Sequence, residues 1–546
     1  MRIPTGRFTQ RFRAFAAPWR VFLPAALFLC TLCVCFAASS LPLPHPIPPP
    51  AEDDPPPKVS TPAKTTTAQP ATSSQPAQSQ QATKPASSST ATTTPKPATP
   101  ATTTTTSSSS ASTTSTTSTS RPLGILVRST PLKDASGKVI PMNGNYGGGS
   151  ILLPAAYTAK QNEFRGVWVA TAFNLDFAKH ATTAEFQASY RALVARLADM
   201  GFNTIMFQVR PTCDAIYKSS IVPWSRWMTG EEGRAFDGEF DPLPFMISEA
   251  RRRGLKFYAW MNPYRVGQVD RSAASTYLST LSSGSFARRN PGMVVRWNDK
   301  KTNLAFFFLD PGRAEVVAHI ANCVREVLQY RPDGIVFDDY FYPIGVDDTC
   351  DAVTYGKFAK KGQSLPDWRR ANTELLIRSV AGTVRAFNRL NGTSIPFGVS
   401  PVGIWANRSE TCPEGSLSKG VEAYSQSFAD VRKWVKNNWI DFVIPQVNWG
   451  LGNRIAPFAG IVNWWSDLVR GTNVKLYVGI GVYQAGVAAG MESPSELSNQ
   501  VLYLILRREV SGTVLFAARH CLNPQNNAQK TSLRTIFGSY WRPSAR

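Results

Sequence analysis

Short runs of β-branched and aromatic residues alternate along the C-terminal three-quarters of the chain with longer stretches of helical period. Eight such runs predict strands at Gly166–Thr171, Asn203–Val209, Leu255–Met261, Gly334–Asp338, Pro396–Ser400, Asp441–Gln446, Lys475–Gly481 and Thr513–Ala517. The intervening periodicity predicts helices that include Thr183–Met200, Pro242–Arg253, Arg313–Tyr330, Pro366–Leu390 and Pro494–Val510, with a last one near Asn526–Ile536. Eight strand–helix units in order predict a (β/α)8 barrel rather than an open doubly wound sheet. The glycine-rich phosphate fingerprint of a dinucleotide fold is missing after the first strand. About 70 residues separate the third and fourth strands, an insertion long enough to shape a cleft.

The pattern stops before residue 160, and composition explains why. Residues 1–40 combine Arg2, Arg7, Arg11, Arg13 and Arg20 with an apolar run, Val21–Ala38, that ends in small residues. This reads as an export signal or, if uncleaved, as an N-terminal membrane anchor through 21–38. No convincing lipobox accompanies it. From Leu41 to Ser120 the chain is proline-rich and then almost purely Thr, Ser, Ala, Gln and Pro, which cannot bury enough apolar surface to offset the cost of ordering it. A disordered tether is expected there, with an r.m.s. reach of roughly 45 Å. A lead-in over 121–160 precedes the barrel region, 161–546.

Removing the five arginines of the N-terminal segment lowers the net charge from +22 to +17, so most of the excess lies in the folded part. Such a surface favours an anionic partner, here a cell envelope. No basic run with interleaved aromatics, and no nucleic-acid motif, points to DNA or RNA. Eight cysteines are present; five of them (Cys213, Cys323, Cys350, Cys412, Cys521) lie beyond the signal, without CxxC spacing or a Cys/His cluster. Neither a metal nor another cofactor is expected, and one or two disulfides are compatible with an exported chain.

Barrel active sites lie at the strand C-termini. Those ends supply Asn174 and Asp176 from the first strand, Gln208, Arg210 and Asp214 from the second, and Trp260, Asn262, Tyr264 and Arg265 from the third. The fourth gives Asp338, Asp339, Tyr340 and Tyr342; the fifth Ser400 and Trp405; the sixth Gln446, Asn448 and Trp449. Carboxyl groups beside aromatic rings and amide or guanidinium donors suit cleavage of a glycosidic bond, which needs an acid and a second carboxylate. Consecutive strand residues face opposite sides, so only one of Asp338 and Asp339 need face the pocket. Arg165 and Arg210 read equally well as barrel-lining partners of these aspartates. Trp224, Trp227 and Trp405 read either as loop packing or as sugar platforms.

Several long blocks at these positions resemble the glycosyl hydrolase-like 10 family. They are EFRGVWVAT (Glu163–Thr171), GFNTIMFQVRPTCDAIYKS (Gly201–Ser219), PWSRWMTG (Pro223–Gly230), FDPLPFMISEARRRGLKFYAWMNPYR (Phe240–Arg265), GIVFDDYFYP (Gly334–Pro343), FGVSPVGIWAN (Phe397–Asn407) and DFVIPQVNW (Asp441–Trp449). The resemblance implies a glycosidase barrel in the bacterial envelope or periplasm, acting on peptidoglycan glycan, in particular on peptide-free (denuded) strands. By carry-over it makes Asp338 and Asp339 the foremost catalytic candidates, with Asp214 as a second carboxylate or a sugar-binding group, unless it merely caps its loop. Arg165, Trp168, Gln208, Arg210, Trp224, Asn262, Tyr264, Arg265, Tyr340, Tyr342, Ser400, Trp405, Gln446 and Trp449 become candidate substrate contacts. Many barrel glycosidases place their acid in the sixth-strand block. Here that block reads Gln446-Val447-Asn448-Trp449, which leaves the acid unassigned.

Overall fold

Residues 129–542 are described by a computed structural model of the chain. Strands β1 (Ser129–Pro131) and β2 (Leu152–Pro154) pair antiparallel in the lead-in. Then follow β3 (Phe164–Val169), β4 (Thr204–Arg210), β5 (Lys256–Met261), β6 (Arg265–Asp270), β7 (Val294–Asn298) and β8 (Leu304–Leu309). The last five are β9 (Gly334–Phe337), β10 (Phe397–Val399), β11 (Phe442–Val443), β12 (Lys475–Gly481) and β13 (Val510–Phe516). Eight of them, β3, β4, β5, β9, β10, β11, β12 and β13, close in that order into a barrel with every neighbouring pair parallel. The (β/α)8 architecture predicted from the sequence is the observed one.

Alternation along each strand builds the two layers of the core. Phe164, Trp168, Met206, Tyr258, Trp260, Val336, Phe442, Ile444 and Val514 meet inside the barrel. Their sequence neighbours Val167, Ile205, Phe207, Phe257, Ile335 and Phe337 face outward into the packing with the helices. With both faces buried, the strands read as near-continuous apolar runs. The helices start where the sequence signals them. Thr182 and Glu185 form a capping box ahead of Thr183–Asp199; Asp241 caps Pro242–Arg252; Ser364 caps Leu365–Asn391, which ends at Gly392 with φ 60°.

The N-terminal end of the barrel is closed by rings. Phe164 stacks on Tyr477 at 4.0 Å between centroids, and Tyr258 meets Phe164 and Phe442 edge-on, each at 5.5 Å. Glycines make the room: a Cβ at Gly334 would lie 2.4 Å from the Tyr258 ring, and one at Gly398 2.3 Å from that of Phe442. Gly334→Ala is therefore expected to cost about 1–3 kcal/mol of stability by overpacking. Urea unfolding would read this as a lower midpoint at unchanged slope, and an unchanged midpoint would mean that the ring layer yields freely.

Departures from the predicted elements have local causes. The sixth barrel strand pairs regularly only over Phe442–Val443, because Pro445 has no N–H to donate; the ladder resumes as an isolated bridge between Gln446 and Gly479. The long insertion holds an antiparallel sheet in the order β6-β8-β7. The helix between the sixth and seventh barrel strands, Phe458–Val469, is mostly apolar and lies largely buried. The lead-in from Ser129 belongs to the same compact unit as the barrel. All five cysteines beyond the signal are free thiols, so the one or two disulfides that the sequence left possible are not formed among them; Cys213, Cys323 and Cys521 are buried among core side chains. The signal or anchor over 1–40 and the tether over 41–120 lie outside the described residues. Among those described, no helix is long and apolar enough to cross a membrane.

Candidate active site

The inward series on β9 is Gly334, Val336, and then Asp338 one residue past the strand. Period two thus aims Asp338 along the barrel axis at the C-terminal end. There it is 3% exposed. Trp260 donates from Nε1 to its Oδ2 at 2.9 Å, and Asn262 Nδ2 lies 3.2 and 3.1 Å from its two oxygens. Both donors are inward residues at the end of β5. Trp260 is itself held edge-on against Trp168 at 4.9 Å, so rings from the first and third barrel strands fix the donor. Burial pushes Asp338 up to about 7; Arg265 opposes the shift, Asp339 adds to it, and the two hydrogen bonds moderate it.

Asp339 is half-buried and accepts from Gln446 Nε2 at 3.0 Å; the same amide nitrogen donates to the Ser400 carbonyl at 3.0 Å. Ser400 Oγ in turn donates to the Ile444 carbonyl at 2.8 Å. The loops after β9, β10 and β11 are thereby tied together beneath Asp339. Desolvation raises Asp339 as well, against the Gln446 hydrogen bond and the field of Arg265. Arg265 N donates to Asn262 Oδ1 at 2.9 Å, so one amide spans from Asp338 to the start of β6. The Arg265 guanidinium lies over the Tyr340 ring, 3.9 Å from its centroid. Farther along the same loop, Asp351 pairs with Arg369 at 2.6 Å, both side chains fully buried, which anchors the segment that follows the two acids.

The site is therefore a pair of adjacent carboxyl groups at the C-terminal end of the barrel, held by neutral donors and flanked by tryptophan rings and one arginine. The profile of the family described as glycosyl hydrolase-like 10 matches residues 163–495. The glycosyl hydrolase DigH of Escherichia coli strain K12 is 35% identical over 406 residues, which is 71% of this chain and 90% of that protein. The glycosyl hydrolase YngK of Bacillus subtilis is 33% identical over 391 residues, 70% of this chain and 72% of that one. The solved glycoside hydrolase domain of PgaB (BpsB) from Bordetella bronchiseptica has a TM-score of 0.45 at 12% identity, covering 70% of this chain and 100% of that domain. The chain belongs to the glycosyl hydrolase-like 10 family.

As a glycoside hydrolase of this family, the protein uses several of the remaining predicted residues to build the site. Trp168, Gln208, Arg210 and Ser400 support the site from within. Gln208 accepts from the N–H groups of Thr171 and Ala172 at 3.0 and 2.9 Å, shaping the turn after β3. Arg210, wholly buried, donates to the carbonyls of Asn262 and Pro263 at 2.6 and 3.1 Å and so sets the end of β5. Trp449 is half-buried, with its ring against Gly403.

The structure separates other candidates from the acids. Arg165 lies near the start of β3, at the opposite end of the barrel, paired with Glu163 at 2.9 Å; strand direction removes it from the site. Neither Arg165 nor Arg210 forms an ion pair with the aspartates. Tyr264 and Tyr342 are fully buried in the packing around the loops rather than on the rim. Trp405 is buried too, stacked on Trp464 with centroids 5.6 Å apart and donating to Asp430 at 3.1 Å. Trp224 is part-buried in loop packing. Asp214 is 1% exposed and accepts from Thr212 N and Oγ1 at 2.9 and 2.8 Å, so its carboxyl closes the loop after β4; burial raises its pKa.

Asp176 is among the strand-end residues named without a role. Asp176 accepts from Ala170 N at 2.8 Å and Arg519 N at 2.9 Å, tying the end of β3 to the segment after β13 where the barrel closes. Burial lifts it to about 6. Its position just beyond a barrel strand was the only available signal.

Proposed function

We propose that the protein is an exported envelope glycosidase that cleaves the glycan of peptidoglycan, preferring strands stripped of peptide. The observation that carries the glycosidase chemistry is the Asp338–Asp339 pair, two adjacent carboxyl groups at the C-terminal end of the barrel, each held by a neutral donor. Asp338 keeps its proton into the neutral range and serves as the reservoir for the leaving oxygen. Asp339, with access to solvent, carries negative charge toward the oxocarbenium-like centre. Trp260 and Asn262 orient the first; Gln446 orients the second.

The peptidoglycan reading is supported by the basic excess of the folded region and by the N-terminal apolar segment with its Ser/Thr/Pro tether, which suit an enzyme held at an anionic wall. Digestion of purified glycan strands before and after amidase treatment, with products identified by mass, tests it. Muro-oligosaccharides are expected mainly from the amidase-treated strands. Equal release from both would remove the preference, and release from neither, with activity on another polysaccharide, would replace the substrate.

A further inference from the structure

Arg265 differs from the other polar groups around the two acids. Every close donor to Asp338 and Asp339 is neutral: the indole of Trp260 and the amides of Asn262 and Gln446. An arginine present only to neutralise two carboxylates would close on one of them as a two-pronged ion pair, the geometry that Arg369 adopts with Asp351. Arg265 does not. Its guanidinium makes no ion pair and donates no hydrogen bond among the described residues, although its charge is felt by both acids. Its central carbon lies over the ring of Tyr340, which is 38% exposed, while its backbone is pinned by Asn262. A planar cation seated over a ring, with its N–H groups unpaired beside the two acids, is preorganised for a planar anion.

Building on the function proposed above, we infer that Arg265 recognises the lactyl carboxylate of a muramic acid residue next to the scissile bond. In a peptide-bearing strand that carboxyl is an amide and carries no charge. Hydrolysis of the amide frees it. Arg265 thus gives the enzyme its preference for peptide-free strands, and an amidase-type reaction must precede this one to expose the group that Arg265 reads. Tyr340 acts as a positioning residue by holding the guanidinium in place over its ring, with the N–H groups left for the sugar.

The test compares two substrates with the full-length enzyme: amidase-treated strands, and the same strands with their lactyl carboxylates capped as neutral methylamides. The quantity read is the ratio of kcat/KM between them. Wild type is expected to favour the free carboxylate by about tenfold or more, the scale of a charge-assisted bidentate contact. Arg265→Gln should bring the ratio to about one, whatever it does to both absolute rates through its field on the acids. Arg265→Lys, which keeps the charge and loses the fork, should retain part of the preference, and Tyr340→Ala should weaken it. A wild-type ratio near one, or an Arg265→Gln variant that loses rate on both substrates in equal proportion, overturns the inference while leaving the proposed function standing. No cleavage of the free strands by wild type overturns both.

Discussion

Asp338→Asn is expected to lower kcat/KM on glycan strands by roughly a thousandfold or more while making the protein more resistant to unfolding above neutral pH. The loss of rate follows from removing the proton carrier of the pair, with the transition-state charge it stabilises. The gain in stability follows from what the fold does to that carboxyl. In the folded state its pKa stands at about 7 against an ordinary 3.8. The native protein therefore keeps a proton that the unfolded chain releases between about pH 4 and 7. The stability associated with the neutral acid is present at low pH and disappears as pH rises through that window. Over three units the difference amounts to a few kcal/mol. Asparagine is neutral throughout, and its oxygen can take both N–H groups that meet Oδ2. The melting temperatures of variant and wild type should thus lie close together at pH 5 and diverge by pH 8, with the variant higher. A pH-independent gap, or full activity in the variant, would remove Asp338 from the role. Asp339→Asn should also be inactive, with a smaller stability gain because Asp339 is only half-buried.

Some of this was legible from residue order, and the boundary is physical. Period two along Gly334–Phe337 is enough to place Asp338 on the axis, and the end of β5 reads in the same way for Trp260 and Asn262. Side chains that stay on a barrel strand inherit its alternation. Residues a few positions beyond do not, which is why Tyr264 and Tyr342 read as substrate contacts and Trp405 as either loop packing or a sugar platform, while all three are core residues. Their burial depends on partners far along the chain: Tyr342 packs against Phe428, and Trp405 against Trp464. Arg165 fails for a simpler reason: it sits near the start of β3, at the end of the barrel opposite the acids. Asp214 had the right chemistry and the right strand end; a loop that folds back on it through Thr212 takes up its carboxyl. The insertion announced itself by length alone, and its antiparallel order, β6-β8-β7, needed the structure.

Asn262→Ala is expected to reduce kcat by roughly a hundredfold and to move the alkaline limb of the rate profile to higher pH. Asn262 touches neither solvent nor, in this reading, the sugar; it is 0% exposed and acts through others. Its amide nitrogen serves Asp338, and its oxygen holds the backbone of Arg265. Removing the side chain withdraws a donor that favours the ionised acid and frees Arg265 to drift away, so both changes raise the pKa of Asp338. Misplacing a reacting group by an ångström is enough for a loss of that size. Trp260→Phe removes one N–H while keeping a ring against Trp168, and should shift the limb in the same direction with a smaller fall, about tenfold. Because both donors act on one carboxyl, the double variant should lose less than the two single losses combined. A purely structural role for Asn262 would lower the amount of folded enzyme without moving the limb, and the pH profile of kcat separates the two: an unmoved limb would show that the amide supports the fold and leaves the acid untouched.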